Sequence, residues 1–546
     1  MEAAPKSHNY DDDVSRRRTH IAIAVCGCGH DGRLGLGSCD SQSRVTLIPF
    51  FLSGNNNDVD NQLVGTIRAV RVGGYHNFAI TTTGVYGWGL NENGQLGLGH
   101  GSPAYVPLPM RIPFFDKSDV IEIACGAYHT FAWTHEGLFA CGKNEDGQLG
   151  LSGEKDHIEF TTVLTAAQAN NSDATGHEVN GGCRLIRRGQ LTHVSCGTHH
   201  TLLAFRDVEV EREKDSEVQK QHYPILIAAA GKGDFGELGY DGDAWSVLQA
   251  KAKSMQAALR ADAQQHQQQQ HDNDSTVTVQ GLPEKKWKPL KQRRAVFSSE
   301  AFQPVGLPLL LERAAASSCV CPFEIVSLHA MHLHSSVVLR DTSAVERDAG
   351  VGCMQTFHWG CYYCNAVEDD ASSIPRSAGE EVCLHAGNET LFRYNAATAP
   401  CMRVEVMGSG VLGLGEEDSF KTVWVPLPLP PEAEGHRVSA ITGREHYLIL
   451  LNDTLVVGFG DNMFGQLGVD DKMIDVVLRP TVVLRVGDHL RSPSAADGNG
   501  ESVWGVESIR DVGCGVRHSV FLVEVYRQPA DVTAEADAVV KGRAVL

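Results

Sequence analysis

Hydrophobic residues in this chain come in short runs between glycine-rich polar stretches. Phe78-Ala79-Ile80, Phe131-Ala132-Trp133, Leu448-Ile449-Leu450-Leu451 and Val520-Phe521-Leu522-Val523 are too short for helices, and most are bounded by Gly, Asn, Asp or Thr. Runs of this length between turn residues predict β-strands. Two phrases recur around them. One ends in Gly-x-x-His: Gly73-Gly74-Tyr75-His76, Gly126-Ala127-Tyr128-His129, Gly197-Thr198-His199-His200, Gly443-Arg444-Glu445-His446 and Gly515-Val516-Arg517-His518. Worn copies stand at Met331-His332-Leu333-His334 and Gly387-Asn388-Glu389-Thr390. The other runs through a polar turn into Gly-Gln-Leu-Gly, most cleanly over residues 87–97, 141–150 and 458–468. His76, His129 and His446 precede Leu96, Leu149 and Leu467 by about 20 residues each, a fixed offset that means one structural unit per repeat.

The glycine-rich phrase recurs at 27–37, 87–99, 142–153, 231–239, 408–413 and 458–468, with a half copy at His358-Trp359-Gly360. Both phrases count to seven; the count is six if residues 387–390 match by chance. The chain opens on the glycine-rich phrase (Ala24-Val25-Cys26-Gly27-Cys28-Gly29) and closes on the histidine phrase (Gly513-Cys514-Gly515-Val516-Arg517-His518). Joined, the two ends complete one repeat. A ring whose first and last strands share a unit does this, whereas an open solenoid needs two capping ends. Radial blades of four strands leave only short edges, and the leucine of each Gly-Gln-Leu-Gly is expected in the core.

The two alternating phrases resemble the regulator of chromosome condensation repeat family over roughly residues 20–525, with departures between Tyr240 and Gly408. The resemblance implies an all-β, seven-bladed β-propeller closed by one blade shared between the chain ends, with six blades as the alternative. The expected function is a non-enzymatic interaction scaffold whose loops and insertions recognise a protein partner. The alternative, implied by the resemblance, is a guanine nucleotide exchange factor for a Ran-like small GTPase. Such an exchanger uses an inserted β-wedge and stabilises the nucleotide-free partner, so it needs no acid or base of its own. No wedge segment stands out in the sequence, and Asp11-Asp12-Asp13 lies near the N-terminus where nuclear relatives use a basic tail. A ubiquitin-ligase accessory ring finds no added catalytic domain here.

Charge sharpens the partner class. With 67 acidic and 47 basic residues the net charge is −20, which disfavours direct nucleic-acid binding and suits solubility or a basic protein partner. The first twenty residues are polar and acidic, with Arg16-Arg17-Arg18, and no apolar run reaches membrane-spanning length. A cytoplasmic monomer is expected, with a nuclear location as the alternative, and the 15 cysteines are expected as reduced thiols. The expected organisation is a tail over 1–20, the propeller over 21–526, an insertion over 241–320 and a C-terminal tail over 527–546. The insertion combines a helix-compatible stretch (244–263) with a glutamine-rich run (264–270). Residues 207–222, 365–380 and 490–502 read as polar loops.

Candidate chemistry is sparse. Residues 27–32 and 231–236 match G-x-G-x-x-G, but the repeat's own ending follows where a dinucleotide site needs a helix. No cofactor is expected. His76, His129, His200, His446 and His518 recur once per unit and so lie apart around the ring. They are read as structural groups satisfying backbone in the blade turn, as are the turn glycines Gly97, Gly150, Gly239 and Gly468. Cys361, Cys364, Cys383 and His385 form a four-ligand zinc candidate, weighed against scattered thiols in a cysteine-rich chain. Lys285, Lys286, Trp287, Lys288, Lys291, Arg293 and Arg294 concentrate basic charge in an acidic protein, as a nuclear-import signal, a partner contact or a solvated linker.

Overall fold

The computed structural model describes residues 18–52, 64–116, 119–151, 153–165, 186–214, 217–233, 237–238, 303–304, 323–332, 334–341, 354–360, 382–388, 390–395, 403–417, 419–469, 474–493 and 502–527. Strands β1 (Thr19–Gly27) and β2 (Gln42–Leu47) come first. A four-stranded sheet follows, built in chain order from β3 (Ile67–Val72), β4 (His76–Thr81), β5 (Val85–Leu90) and β6 (Tyr105–Arg111). β7 (Val120–Cys125), β8 (His129–Thr134), β9 (Gly137–Gly142) and β10 (His157–Thr165) repeat it. So do β11 (Ile186–Cys196), β12 (His200–Lys214), β13 (Glu217–Gly231) and the short β14 (Gln303–Pro304). β15 (Phe323–Ala330), β16 (His334–Asp341) and β17 (Met354–Gly360) make a sheet of three described strands. Two further sheets of four are β18 (Val382–Ala386), β19 (Thr390–Asn395), β20 (Val404–Gly410) and β21 (Ser419–Pro426), then β22 (Val438–Gly443), β23 (His446–Leu451), β24 (Leu455–Asp461) and β25 (Val476–Arg485). β26 (His489–Ser492), β27 (Ser502–Cys514) and β28 (His518–Arg527) end the chain.

These small antiparallel sheets form a propeller-like, all-β arrangement. The last one joins the two ends of the chain. β1 pairs with β28 in unbroken antiparallel register from Thr19↔Tyr526 to Gly27↔His518, and β2 flanks β1 on its other edge. A parallel bridge, Thr46↔Arg491, ties β2 to β26. β1 begins inside the segment expected as a tail, taking in Thr19 and His20.

Burial explains the strand composition. All six residues of β4 (HNFAIT) and of β5 (VYGWGL) are buried, because each lies between the neighbouring blades on both faces. In β1, Ala22, Ala24 and Cys26 enter one hydrophobic core, while Ile23 and Val25 enter the next. Strand alternation thus feeds two inter-blade cores from one strand. The outermost strand β6 (YVPLPMR) alternates between exposed and buried positions. Its Pro107 and Pro109 withhold N–H donors from that edge, which blocks further pairing.

The Gly-Gln-Leu-Gly phrase is a folded turn. Leu96, Leu149 and Leu467 are fully buried. Asn91 Oδ1 accepts from the Leu96 N–H at 3.0 Å, and Gln95 Oε1 accepts from the Asn93 N–H at 3.0 Å. Asn144 with Gln148 and Asn462 with Gln466 repeat both bonds. Gly97, Gly150 and Gly468 close the turn at φ 67°, 63° and 66°, the left-handed region that favours glycine.

One expected loop is largely strand: residues 207–214 and 217–222 belong to β12 and β13, each 15 residues long, which pair as far as Lys214↔Glu217. Of the expected loop at 490–502, residues 490–492 lie in β26 and Ser502 opens β27, while 494–501 lie outside the described residues. The expected insertion over 241–320, the loop at 365–380 and the tail beyond Arg527 lie almost wholly outside the described residues. Among the described residues no helix is long and apolar enough to cross a membrane.

Candidate functional site

Each recurring histidine opens the second strand of its blade and reaches across to the next blade. His76 Nε2 lies 2.8 Å from Thr130 Oγ1, His129 Nε2 2.8 Å from Thr201 Oγ1, and His200 Nε2 2.8 Å from Ser335 Oγ. His446 Nε2 lies 2.9 Å from Ser519 Oγ, and His518 Nε2 2.9 Å from Asn77 Oδ1. The partner is thus a side chain of the adjacent blade, rather than backbone of the histidine's own turn. It is always the residue that follows that blade's own repeat histidine or the worn His334.

These contacts define the tautomer. Thr130, Thr201, Ser335 and Ser519 donate their hydroxyl protons to the carbonyls of Gln95, Gln148, Glu237 and Gln466, at 2.7, 2.8, 2.8 and 2.6 Å. A carbonyl only accepts, so each hydroxyl must accept from the imidazole, and Nε2 carries the proton. Asn77 fits the same logic, since its Nδ2 donates to the Arg33 carbonyl at 2.9 Å. Burial holds these rings neutral: His76 and His446 are pushed down to about 3, and His129 and His518 well below the usual range. The set therefore forms a chain of inter-blade locks with no free base.

The same face carries the more accessible residue before each histidine. Leu90, Lys143, Lys232, Asp461 and Cys28 donate backbone N–H groups to the carbonyls of Tyr75, Tyr128, His199, Glu445 and Arg517 at 2.8–3.1 Å. This bond brings the histidine turn and the glycine-rich turn of each blade together at one end of the sheets. Gly89 makes the approach possible: at φ 104°, a Cβ there would lie 2.5 Å from the Tyr75 carbonyl oxygen. The Tyr75 and Tyr128 rings stack at 4.9 Å, with Arg33 4.7 Å over Tyr75 and Lys143 5.7 Å over Tyr128. His199 Nδ1 contacts Asp146 Oδ2 at 3.1 Å, and Arg517 lies 5.1 Å over Phe464. A cation–aromatic row thus runs Arg33–Tyr75–Tyr128–Lys143 across three blades. Such a surface offers stacking and charge, the chemistry of recognition.

Cys196 and Cys514 are not poised as nucleophiles. Burial pushes both thiols up to about 12. Among the described residues no group of three or more His, Cys, Asp or Glu is placed to hold a metal ion. Of the zinc candidates, Cys361 and Cys364 lie outside the described residues. Cys383 and His385 are in β18, opposite Tyr394 and Phe392, and only their backbone register is described. The basic segment with Lys285, Lys286, Trp287, Lys288, Lys291, Arg293 and Arg294 also lies outside the described residues, as does Gly239. Sequence reasoning missed the hydroxyl and amide partners. Their signal is a polar residue, Asn77, Thr130, Thr201, Ser335 or Ser519, one place after the histidine position in an otherwise apolar strand.

A model of the regulator of chromosome condensation repeat matches residues 84–133, and a second model of that repeat matches residues 67–95. The ultraviolet-B receptor UVR8 of Arabidopsis thaliana is 32% identical over 153 residues, covering 28% of this chain and 32% of the receptor. Protein RCC2 of Homo sapiens is 42% identical over 136 residues, covering 22% of this chain and 25% of that protein. The matches thus span a third or less of these relatives' lengths. Among solved structures, yeast RCC1 (Prp20) bound to Kap60 superposes with a TM-score of 0.54 at 14% identity, covering 98% of this chain and 97% of that one. Human WBSCR16 superposes with a TM-score of 0.53 at 17% identity, covering 92% and 98%. These two likenesses concern the fold.

Proposed function

Because the chain belongs to the regulator of chromosome condensation repeat family, we propose that it is a non-enzymatic ring of seven blades that recognises a partner protein through its histidine face. The observation that carries this reading is the Arg33–Tyr75–Tyr128–Lys143 row, held on rigid turns, with Tyr75, Tyr128 and Lys143 partly open to solvent and Arg33 buried beneath them. Aromatic and arginine side chains on a rigid scaffold lose little entropy on binding and form typical interface anchors. The locks behind them keep neighbouring blades in register, so the row is preorganised. The test is affinity capture followed by calorimetry with the partner identified, comparing the wild type with a Tyr75→Ala/Tyr128→Ala double variant. At least a ~30-fold loss of affinity, about 2 kcal/mol, is expected for removal of two central anchors. An unchanged affinity in a variant that melts normally moves the site elsewhere.

One observation favours a second reading as a nucleotide exchange factor for a Ran-like small GTPase. The β12–β13 hairpin runs on for seven register pairs, from Val208↔Tyr223 to Lys214↔Glu217, beyond the six-residue strands typical of the other blades. It extends from the end of the blade opposite the histidine turn, and it is the kind of protruding β element that the family resemblance implies as a wedge. Nucleotide release from loaded Ran, measured at substoichiometric amounts of this protein, tests it. Acceleration that disappears when residues 208–223 are replaced by a short turn supports exchange; no acceleration removes the reading.

A further inference from the structure

A cleft lies where the ring closes, at the end of the sheets away from the histidine turns. Ile67 opens β3 and pairs with Thr81, the last residue of β4, whereas His76 begins that strand. Asp453 lies in the tight turn between β23 and β24, again opposite His446, and Ser508, Arg510 and Asp511 come from β27. Three successive sheets therefore wall one cleft of about 480 Å³. That size falls within the range of small-molecule sites, roughly 300–1,000 Å³. Its floor is apolar: Ile67 and Leu522 line it with 4% and 5% of their surface exposed.

Its mouth carries both signs of charge, Arg68 and Arg510 against Asp453 and Asp511. Two of these four are already held. Arg510 Nη2 donates to Glu524 Oε2 at 2.7 Å, and Ser508 Oγ donates to the same oxygen at 3.3 Å. Asp511 Oδ1 accepts from the Val512 N–H at 2.8 Å, while its Oδ2 faces Arg71 Nη1 at 3.9 Å. The other two are not held. Arg68 and Asp453 are exposed, and among the described residues neither side chain has a hydrogen-bond or ion-pair partner, in the other or elsewhere. The backbone under Asp453 is pinned, because the Ile509 N–H donates to its carbonyl at 2.9 Å. Asn452 and Asp453 form the turn in the left-handed region, at φ 48° and 60°, which Asn and Asp tolerate better than other residues with a side chain.

A cation and an anion that share a cleft without meeting leave space for a group between them. A simple anion there answers Arg68 but faces Asp453, and a simple cation does the reverse. A ligand with both charges side by side answers both, and an aliphatic side chain covers Ile67 and Leu522. We propose that this cleft binds a small zwitterion, a free α-amino acid with an aliphatic side chain, with its carboxylate on Arg68 and its ammonium on Asp453. Guanidinium takes a carboxylate in a two-pronged fashion, and an ammonium donates a charge-assisted bond to a carboxylate. The site is independent of the partner-binding reading above, since it lies at the other end of the sheets and shares no residue with the aromatic row.

The test is calorimetric titration of the full-length protein at pH 7.0 with leucine and, separately, with 4-methylpentanoate, which lacks the ammonium, and isopentylamine, which lacks the carboxylate. Leucine is expected to bind the wild type at one site. Each analogue loses one charge-assisted bond and is expected to bind at least ~10-fold more weakly. Arg68→Gln and Asp453→Asn are each expected to weaken leucine binding at least ~10-fold, with asparagine keeping the left-handed backbone. Arg111→Gln, which removes an exposed arginine outside the cleft, is expected to bind leucine like the wild type. No leucine binding by the wild type overturns the site. So does unchanged leucine affinity in either cleft variant, or an analogue that binds as tightly as leucine. Should one variant fail to fold, the other variant and the two analogues on the wild type carry the same decision.

Discussion

Two junctions between neighbouring blades solve one problem with different chemistry. Where β3–β6 meets β7–β10, His76 donates to Thr130, and Thr130 donates to the Gln95 carbonyl, all of it fully buried. Where β18–β21 meets β22–β25, Thr390 stands in place of the histidine and Tyr447 in place of the hydroxyl. The Tyr447 ring lies so close to Gly387 that a Cβ there would come within 2.4 Å of it. It also packs 5.0 Å from Phe392 and 5.2 Å from Phe459, and its hydroxyl donates to the Arg444 carbonyl at 2.9 Å. At this junction histidine and hydroxyl are replaced together, and aromatic packing takes over. A polar lock specifies registry but is costly to half-remove, because the surviving group stays buried without a partner. The aromatic junction carries no titratable imidazole.

The comparison breaks most severely if the ring is opened. Removing residues 1–48 takes away β1 and β2 and strips β28 of its nine-residue partner. The melt should lose its cooperativity, or Tm should fall by more than ~10 °C, given that ~1 kcal/mol moves Tm by a few degrees in a large domain. A truncated chain that melts like the full one removes the closing sheet as a source of stability.

Acid is the next largest perturbation, and it discriminates between the junctions. His76, His129, His446 and His518 have folded-state proton affinities depressed by burial, to about 3 for His76 and His446. Below pH ~6.5 the unfolded chain binds protons that the folded chain refuses. Stability is therefore fully present above that pH and falls as pH drops from ~6.5 towards 3. Each such histidine costs about 1.4 kcal/mol for every pH unit below its unfolded value. Urea melts at pH 7.5 and 5.5 should separate strongly in the wild type and less in a His129→Asn variant; equal separation would show that His129 contributes nothing to the slope.

Single lock substitutions come third. Thr201→Val keeps the shape but leaves His129 Nε2–H and the Gln148 carbonyl without a partner, and should cost about 1–3 kcal/mol. At the aromatic junction, Tyr447→Phe loses one partly buried hydrogen bond and should cost about 0.5–1.5 kcal/mol. Denaturant midpoints at pH 7.5 compare them directly, and a larger loss at Tyr447 would reverse the proposed ranking. The smallest effect belongs to Arg71, which pairs with Glu122 (Nη2 to Oε2, 2.9 Å) and, more distantly, with Asp511, joining three blades. Arg71→Met should cost about 1 kcal/mol or less because the pair is only half-buried, and the loss should shrink in high salt.

Much of the ring was legible in the chain. Repeated phrases at constant offset, short apolar runs and a repeat split between the ends are local properties, and local turn chemistry reproduces them. Asn91, Gln95 and Gly97 make the same turn wherever the phrase recurs, and the buried Leu96 follows from it. The β12–β13 hairpin was not legible, because residues 208–221 are mostly charged and lack the alternation that marks a half-buried strand. Register with a partner strand, from Val208↔Tyr223 outward, makes them strands.

The sequence by itself thus determined the class of fold, the turns and the residues that line the inter-blade cores, since each depends on neighbours within a single repeat. The tertiary structure alone decided which residues meet across blades. His76 and Thr130 are 54 positions apart, and His518 and Asn77 are 441 apart, so no local pattern couples them. The structure likewise brought one variable position of a repeat phrase into contact from blade to blade, Gly74 N–H donating to the Gly126 carbonyl, Ala127 N–H to that of Gly197 and Val516 N–H to that of Gly74. Ring closure supplies the physical reason, because it brings every repeat to one axis and makes equivalent positions neighbours, whatever their separation along the chain.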